Sequence, residues 1–158
     1  MDEQSVNAFD RIVDDAVARM RDITDAAASE RPAPGKWSRK EIVGHLIDSA
    51  ANNQTRFVRA QLQDDLIFPG YDQDAWVRAQ RYNEQPWREI VETWRTYNRH
   101  VAVIMRATPE QEANRPRARH NLQDIGFQPL PAGAAATLDF LMRDYVVHLQ
   151  HHLRQIFR

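Results

Sequence analysis

Cysteine is absent from this 158-residue chain. That excludes disulfides, thiolate metal ligands and a cysteine nucleophile, so any metal site must draw on His, Asp, Glu and water. No charge of one sign dominates: 21 Lys and Arg stand against 22 Asp and Glu. Such a balance gives no general attraction to nucleic acid or to an anionic membrane. No apolar run approaches the ~18 residues of a membrane span. The opening run Met1, Asp2, Glu3 is acidic, the opposite of a secretory leader, so the expected address is cytoplasmic. Internal repeats and low-complexity segments are missing too. The length and the 42% apolar content fit a single domain over residues 1–158.

What the chain does have is histidine, concentrated near its end. Three of the six, His148, His151 and His152, fall in one short stretch. His148 and His152 are four apart, which on a helix puts both rings on one face with Cβ atoms roughly 5–6 Å apart. His148 and His151 satisfy the i,i+3 alternative, so spacing alone leaves the pair open. Two imidazoles do not make a stable site, and a third ligand must come from elsewhere.

The apolar periodicity predicts a long helix over residues 4–29, ended by Pro32, Pro34 and Gly35. Ser38 and Glu41 form a capping box, with Trp37 and Ile42 as a hydrophobic staple, and open a second helix over 38–63. Its apolar positions include Ile42, Val43, Leu46, Phe57, Val58 and Leu62. His45 lies in it among core-type neighbours, and Asp48, Ser49, Asn52 and Arg56 follow on the same face. A polar stripe of this kind either faces solvent or lines an interior pocket. Asp72 or Gln73 caps a short helix to about residue 81. Pro86 opens a third long helix to residue 107, with Trp87, Ile90, Val91, Trp94, Tyr97, Val101, Ile104 and Met105 on its buried face. His100 falls on its exposed side. Thr108 and Pro109 start a short helix to residue 114. Residues 115–135, with three prolines and two glycines, form the least regular part and hold His120. The last helix starts near 135–137 and runs to the end, with the histidine pair bordering its core side. Four long amphipathic helices predict an all-α four-helix bundle with a short extra helix and a long loop before the last helix, an architecture whose facing helices commonly supply metal ligands.

Trp37-Ser38, Glu41, His45-Leu46, Tyr71-Asp72 with Trp76, and His148-x-x-x-His152 followed by Gln155 form an ordered set. This set resembles the DinB/YfiT-like family of metal-dependent enzymes, and the resemblance spans the whole chain. HxxxH alone is unspecific; the ordered set carries the likeness. It implies a four-helix bundle with one histidine from the second helix and two from the fourth around one divalent metal, nickel or zinc. By position the ligands are His45, His148 and His152, with His151 a neighbour. It also implies a small-molecule substrate, with a low-molecular-weight thiol as one kind, and a homodimer.

Three neutral imidazoles leave a divalent ion its full charge and an open position, the pattern of a catalytic site. Such an ion acidifies bound water towards ~7 and suits a hydrolase or a thiol (S-)transferase alike. The alternative is a metal- or ligand-binding stress-response or regulatory bundle without turnover. Asp48 and Asp144, each one turn from a histidine, are candidates to orient a ligand ring or a water. Asn52 and Arg56 are candidates to contact an anionic substrate. Leu149 follows His148, so the HExxH protease signature is absent.

Overall fold

The computed structural model describes residues 1–158 and is all-helical. Eight α-helices follow in order: α1 (Glu3–Arg21), α2 (Asp25–Ser29), α3 (Arg39–Ala60), α4 (Gln73–Gln80), α5 (Trp87–Ala107), α6 (Glu110–Asn114), α7 (Leu122–Ile125) and α8 (Leu138–Ile156). A 3-10 turn, Tyr82–Glu84, sits between α4 and α5. The four long helices α1, α3, α5 and α8 form the bundle; α3 packs on α5 and α8, and α5 also packs on α1. One continuous cluster of 34 buried apolar residues lies between them. No helix is long and apolar enough to cross a membrane.

The helix expected over 4–29 is two helices. Thr24 adopts an extended conformation and its side chain accepts from Ala27 N–H, which starts α2 afresh. The break serves a distant element. Pro86 lies just before α5 and offers no side-chain cap. Asp25 Oδ1 instead accepts from Trp87 N–H at 2.8 Å, while its other oxygen pairs with the Lys40 ammonium at 3.0 Å. One carboxylate thus ties α2, α3 and α5 together.

The capping box of α3 is present as expected. Ser38 N–H donates to Glu41 Oε2 at 2.8 Å and Glu41 N–H donates to Ser38 Oγ at 3.2 Å. The helix ends at Ala60 rather than 63, so Leu62, expected in the core, is 81% exposed. Every residue over 40–50 is buried, polar ones included. A helix buried all round needs cover on each side. The bundle covers one side of α3, and α2, α4 and the 3-10 turn pack on it as well. Gly44 makes the closest approach possible: a Cβ there would fall 2.1 Å from a Tyr82 ring carbon.

On α5, Tyr97 and Ile104 are not buried as expected, whereas Asn98 is fully buried. Its amide donates to Trp94 O at 2.8 Å and accepts from the Tyr145 hydroxyl at 2.6 Å, a polar link between α5 and α8. Thr108 does not cap α6; its hydroxyl bonds back to Ile104 O. Asp72 caps α4 and Thr137 caps α8 through side-chain bonds to Ala75 and Phe140 N–H. His100 is exposed.

The segment 115–135 is more ordered than its composition suggests. Leu66 and His120 form a one-residue parallel bridge. Asn121 bonds the backbone of Phe68 in both directions, at 3.0 and 2.9 Å. The Arg117 side chain is fully buried, pairs with Glu112 and donates to Ala60 O at 3.1 Å. These anchors tie the segment to the last residue of α3 and to the stretch around Leu66 and Phe68.

Candidate metal centre

α3 presents His45 and α8 presents His148 and His152 to one another. Their nearest ligand nitrogens all lie within 4.8 Å of one another, and no other group of three or more His, Asp or Glu side chains converges this way. His45 Nε2 and His148 Nε2 are 3.1 Å apart. Two imidazole nitrogens bound to one tetrahedral ion at ~2.0–2.1 Å stand about 3.3 Å apart, so the observed spacing fits a shared cation. Neutral rings facing this way either share one proton or offer both lone pairs to an ion.

The second ring nitrogens narrow the choice. Gln155 Oε1 can only accept, so His152 carries its proton on Nδ1, at 3.0 Å from that oxygen, and leaves Nε2 bare. The same amide donates to His151 Nε2 at 3.0 Å, which occupies the ring not implied as a ligand. Ser49 Oγ lies 3.4 Å from His148 Nδ1. His45 Nδ1 is buried and has no partner. Trp37 lies against the His45 ring, with centroids 5.1 Å apart. Burial first, then repulsion from the neighbouring rings, pulls His45 and His148 down to about 3, and His152 is lowered for the same leading reason. At neutral pH all three are therefore unprotonated bases, the form that binds metal. Imidazole donors suit zinc, nickel, copper or iron, so the donor set does not select among them.

A cavity of about 390 Å³ opens beside the cluster. The polar stripe of α3 turns inward here: Ser49, Asn53 and Arg56 line the cavity with His45. Asn52 does not line it. Its amide bonds back to Asp48 O at 2.9 Å and it faces a smaller neighbouring hollow. Asn53, one residue on, takes the place assigned to it. Asp48 is not the orienting partner of a histidine either. Its Oδ1 accepts from Gln80 Nε2 at 2.6 Å and lies 2.7 Å from the Tyr82 hydroxyl, so it anchors the cover over α3. Burial raises its pKa against the pull of those bonds.

Asp144 lines the cavity but does not bond His148. Its two oxygens accept from Phe127 N–H at 2.8 Å and Gln128 N–H at 2.7 Å. It holds the segment after α7 in place, and burial raises its pKa despite those donors. The Phe127 ring then packs on His148 and His151, with centroids at 5.4 and 5.1 Å. Tyr71, Phe127 and Gly126 also line the cavity. Their place depends on contacts between distant segments, and no local pattern announced it, although Tyr71 stood in the family set. His120 stays at the Leu66 bridge and does not line the cavity. His152 and Gln155 also line a second cavity of about 850 Å³, together with Trp37, Arg31, Lys36, Arg39 and Arg158.

Among known folds, YfiT from Bacillus subtilis, a probable metal-dependent hydrolase with an unusual four-helix bundle topology, superposes with a TM-score of 0.75. It is 18% identical, over 99% of this chain and 86% of YfiT. A mycothiol-dependent maleylpyruvate isomerase superposes with a TM-score of 0.69 at 10% identity, over 99% of this chain but 61% of the isomerase. At such identities the likeness establishes the four-helix-bundle fold. No curated protein sequence matches the chain. Residues 8–156 match the DinB superfamily along nearly the whole sequence, and the chain belongs to that superfamily.

Proposed function

We propose that this chain is a divalent-metal-dependent enzyme acting on a small molecule, with His45, His148 and His152 as its metal ligands and zinc or nickel as the ion. The observation that carries this reading is the convergence of three neutral imidazoles, His45 buried and His148 and His152 half-buried, on one point beside a cavity. When bound, the ion would supply Lewis acidity and an acidified water at an open position.

The chain's own residues supply the rest. Gln155 fixes the His152 tautomer, and Ser49 stands at the second nitrogen of His148. Trp37 lies against the His45 ring and Phe127 against the His148 ring, apolar cover that favours their neutral form. Asp144 holds the cavity's rim through two backbone N–H groups. Hydrolysis of a small ester or amide is the reaction that this arrangement supports best.

Transfer to a low-molecular-weight thiol is the second reading. One observation favours it: His152 borders both cavities, so two reactants can approach the cluster from separate spaces.

The test is elemental analysis of the purified, untagged protein beside His148→Ala, followed by a screen of ester and thiol substrates. Near-stoichiometric zinc or nickel in the wild type and its loss in the variant are expected. Absence of metal, with no thermal response to added zinc or nickel, overturns the proposal. Turnover only when a thiol is present selects transfer over hydrolysis.

A further inference from the structure

Two arginines are deeply buried, and the chain treats them differently. Arg117 is sealed by protein: Glu112 pairs with it and the carbonyls of Ala60 and Arg115 accept from it. Arg56 is 7% exposed, yet no carboxylate lies within ion-pair distance of it. Its one hydrogen bond runs from Nη2 to Pro69 O at 3.2 Å. Five donors project from a guanidinium, so most of them remain free. Nε and Nη1 are not among the side-chain atoms sealed away without a partner, so they keep access to solvent space, and Arg56 lines both this cavity and the smaller hollow that Asn52 faces.

No carboxylate pairs with it directly. Asp144 lines the same cavity and its charge favours the guanidinium from a distance, but both of its oxygens are engaged by Phe127 and Gln128 N–H. Tyr71 stands beside Arg56 in the lining, and its hydroxyl makes no hydrogen bond within the protein. Burial pushes that hydroxyl up to about 12, so at neutral pH it is a donor. A buried cation and a free hydroxyl thus share the wall of a cavity whose other end is the histidine cluster.

We propose that Arg56 and Tyr71 form an anion-recognition end of this cavity, and that the substrate carries a carboxylate remote from the group that reacts at the histidines. This rests on the metal-enzyme reading above for its second half only. Arg56 lies three helical turns beyond His45 on α3, so their Cα atoms are about 16 Å apart on the same face. The side chain leans back along the helix and shortens that span. The fitting ligand is therefore elongated, with an anion at one end. A guanidinium pairs planar carboxylates through two parallel bonds, which a lysine cannot reproduce. Asp124 and Asp144 also line the cavity, so a monoanion suits it better than a phosphate dianion.

The test uses succinate, glutarate and adipate as probes, with the half-amide of each as the control that lacks one charge. Binding to the zinc-loaded protein is followed by calorimetry for the wild type, Arg56→Gln, Arg56→Lys and Tyr71→Phe, with zinc content measured on every sample. The expected result is one chain length that binds at least tenfold tighter than its half-amide. Arg56→Gln erases that preference, Arg56→Lys recovers part of it, and Tyr71→Phe weakens it severalfold. No preference for any dicarboxylate in the wild type, or an equal one in Arg56→Gln, overturns the proposal. The same probes are run on the zinc-free protein by ligand-observed NMR. Binding there that depends on Arg56, in a protein that takes up no zinc, supports the anion site while removing the metal reading. Zinc uptake without Arg56-dependent binding does the reverse.

Discussion

Each histidine of the cluster has two nitrogens, and the one facing away governs what the inward one can do. Gln155 does this for His152 with a 3.0 Å bond and holds His151 with its other end. Replacement by Leu removes both bonds while keeping most of the side chain's bulk. Loss of such an orienting partner typically lowers metal affinity about 10–100-fold. Gln155→Leu is therefore expected to bind zinc that much more weakly in a competition titration against a chromophoric chelator, with secondary structure unchanged. Affinity equal to wild type would leave Gln155 a surface residue only. A second consequence follows from the neutral state of the rings. His45 and His148 are held at about 3 by burial, against an ordinary value of ~6.5 in the unfolded chain. Between those values the unfolded chain binds more protons than the folded one, so stability is full above pH ~6.5 and is lost as pH falls towards 3. Melts of the metal-free protein are expected to show Tm falling below pH ~6.5, and the His45→Phe/His148→Leu double variant is expected to flatten that dependence. A parallel pH profile in the double variant would assign the acid sensitivity to other groups.

At the level of elements, the caps at Ser38 and Asp72 were legible because they are local: each bonds a backbone N–H three residues on, a pattern that can be read from a few neighbouring letters. The one read at Thr108 is absent, because its hydroxyl bonds back to Ile104 O. The break before α2 was not legible, because Asp25 is needed to cap α5 far along the chain. The same holds for α3, whose outer face reads as a solvent-facing helix until the 3-10 turn covers it. Gly44 is where that cover touches. With a Cβ placed 2.1 Å from one ring carbon of Tyr82 and 2.2 Å from another, Gly44→Ala forces the ring away. The displaced hydroxyl then loses its 2.7 Å bond to Asp48, whose carboxyl is buried. Alanine is the better helix former by about 0.8–1.0 kcal/mol, but overpacking of a tight contact typically costs about 1–3 kcal/mol. The expected sign is destabilisation. Chemical denaturation is the measurement, and it should give a smaller loss for Gly44→Ala when Tyr82 is already Leu, since the two share one contact. A Gly44→Ala protein as stable as wild type would mean that the 3-10 turn moves away freely.

For the whole molecule, the histidine triad was legible and the cavity around it was not. Helical spacing announces a histidine pair on α8 but leaves His151 and His152 open as partners of His148; the family set supplied His45 and chose His152. Asn52 was assigned in place of Asn53 because a wheel drawn on sequence resolves a face only to about 100° per residue. Phe127 stands where it does through Asp144 and the Leu66 bridge, which are long-range facts. The triad also joins α3 to α8, the pair of helices that the proposed ion would clamp. An ion bound by the folded chain and not by the unfolded one stabilises by RT ln(1 + [L]/Kd), about 2.7 kcal/mol at a hundredfold excess over Kd. For a chain of this size that is roughly 5–11 °C in Tm, at about 2–4 °C per kcal/mol. Zinc or nickel added to the chelator-stripped protein is expected to raise Tm by that order, in a concentration-dependent way, and excess chelator to reverse it. His45→Ala is the informative variant, because it leaves the HxxxH pair of α8 whole and removes only the cross-helix ligand. If the ion joins two helices, the shift collapses in His45→Ala as it does in His148→Ala. If the pair on α8 binds by itself, His45→Ala keeps most of the shift, and the case for a three-histidine site fails even though metal still binds.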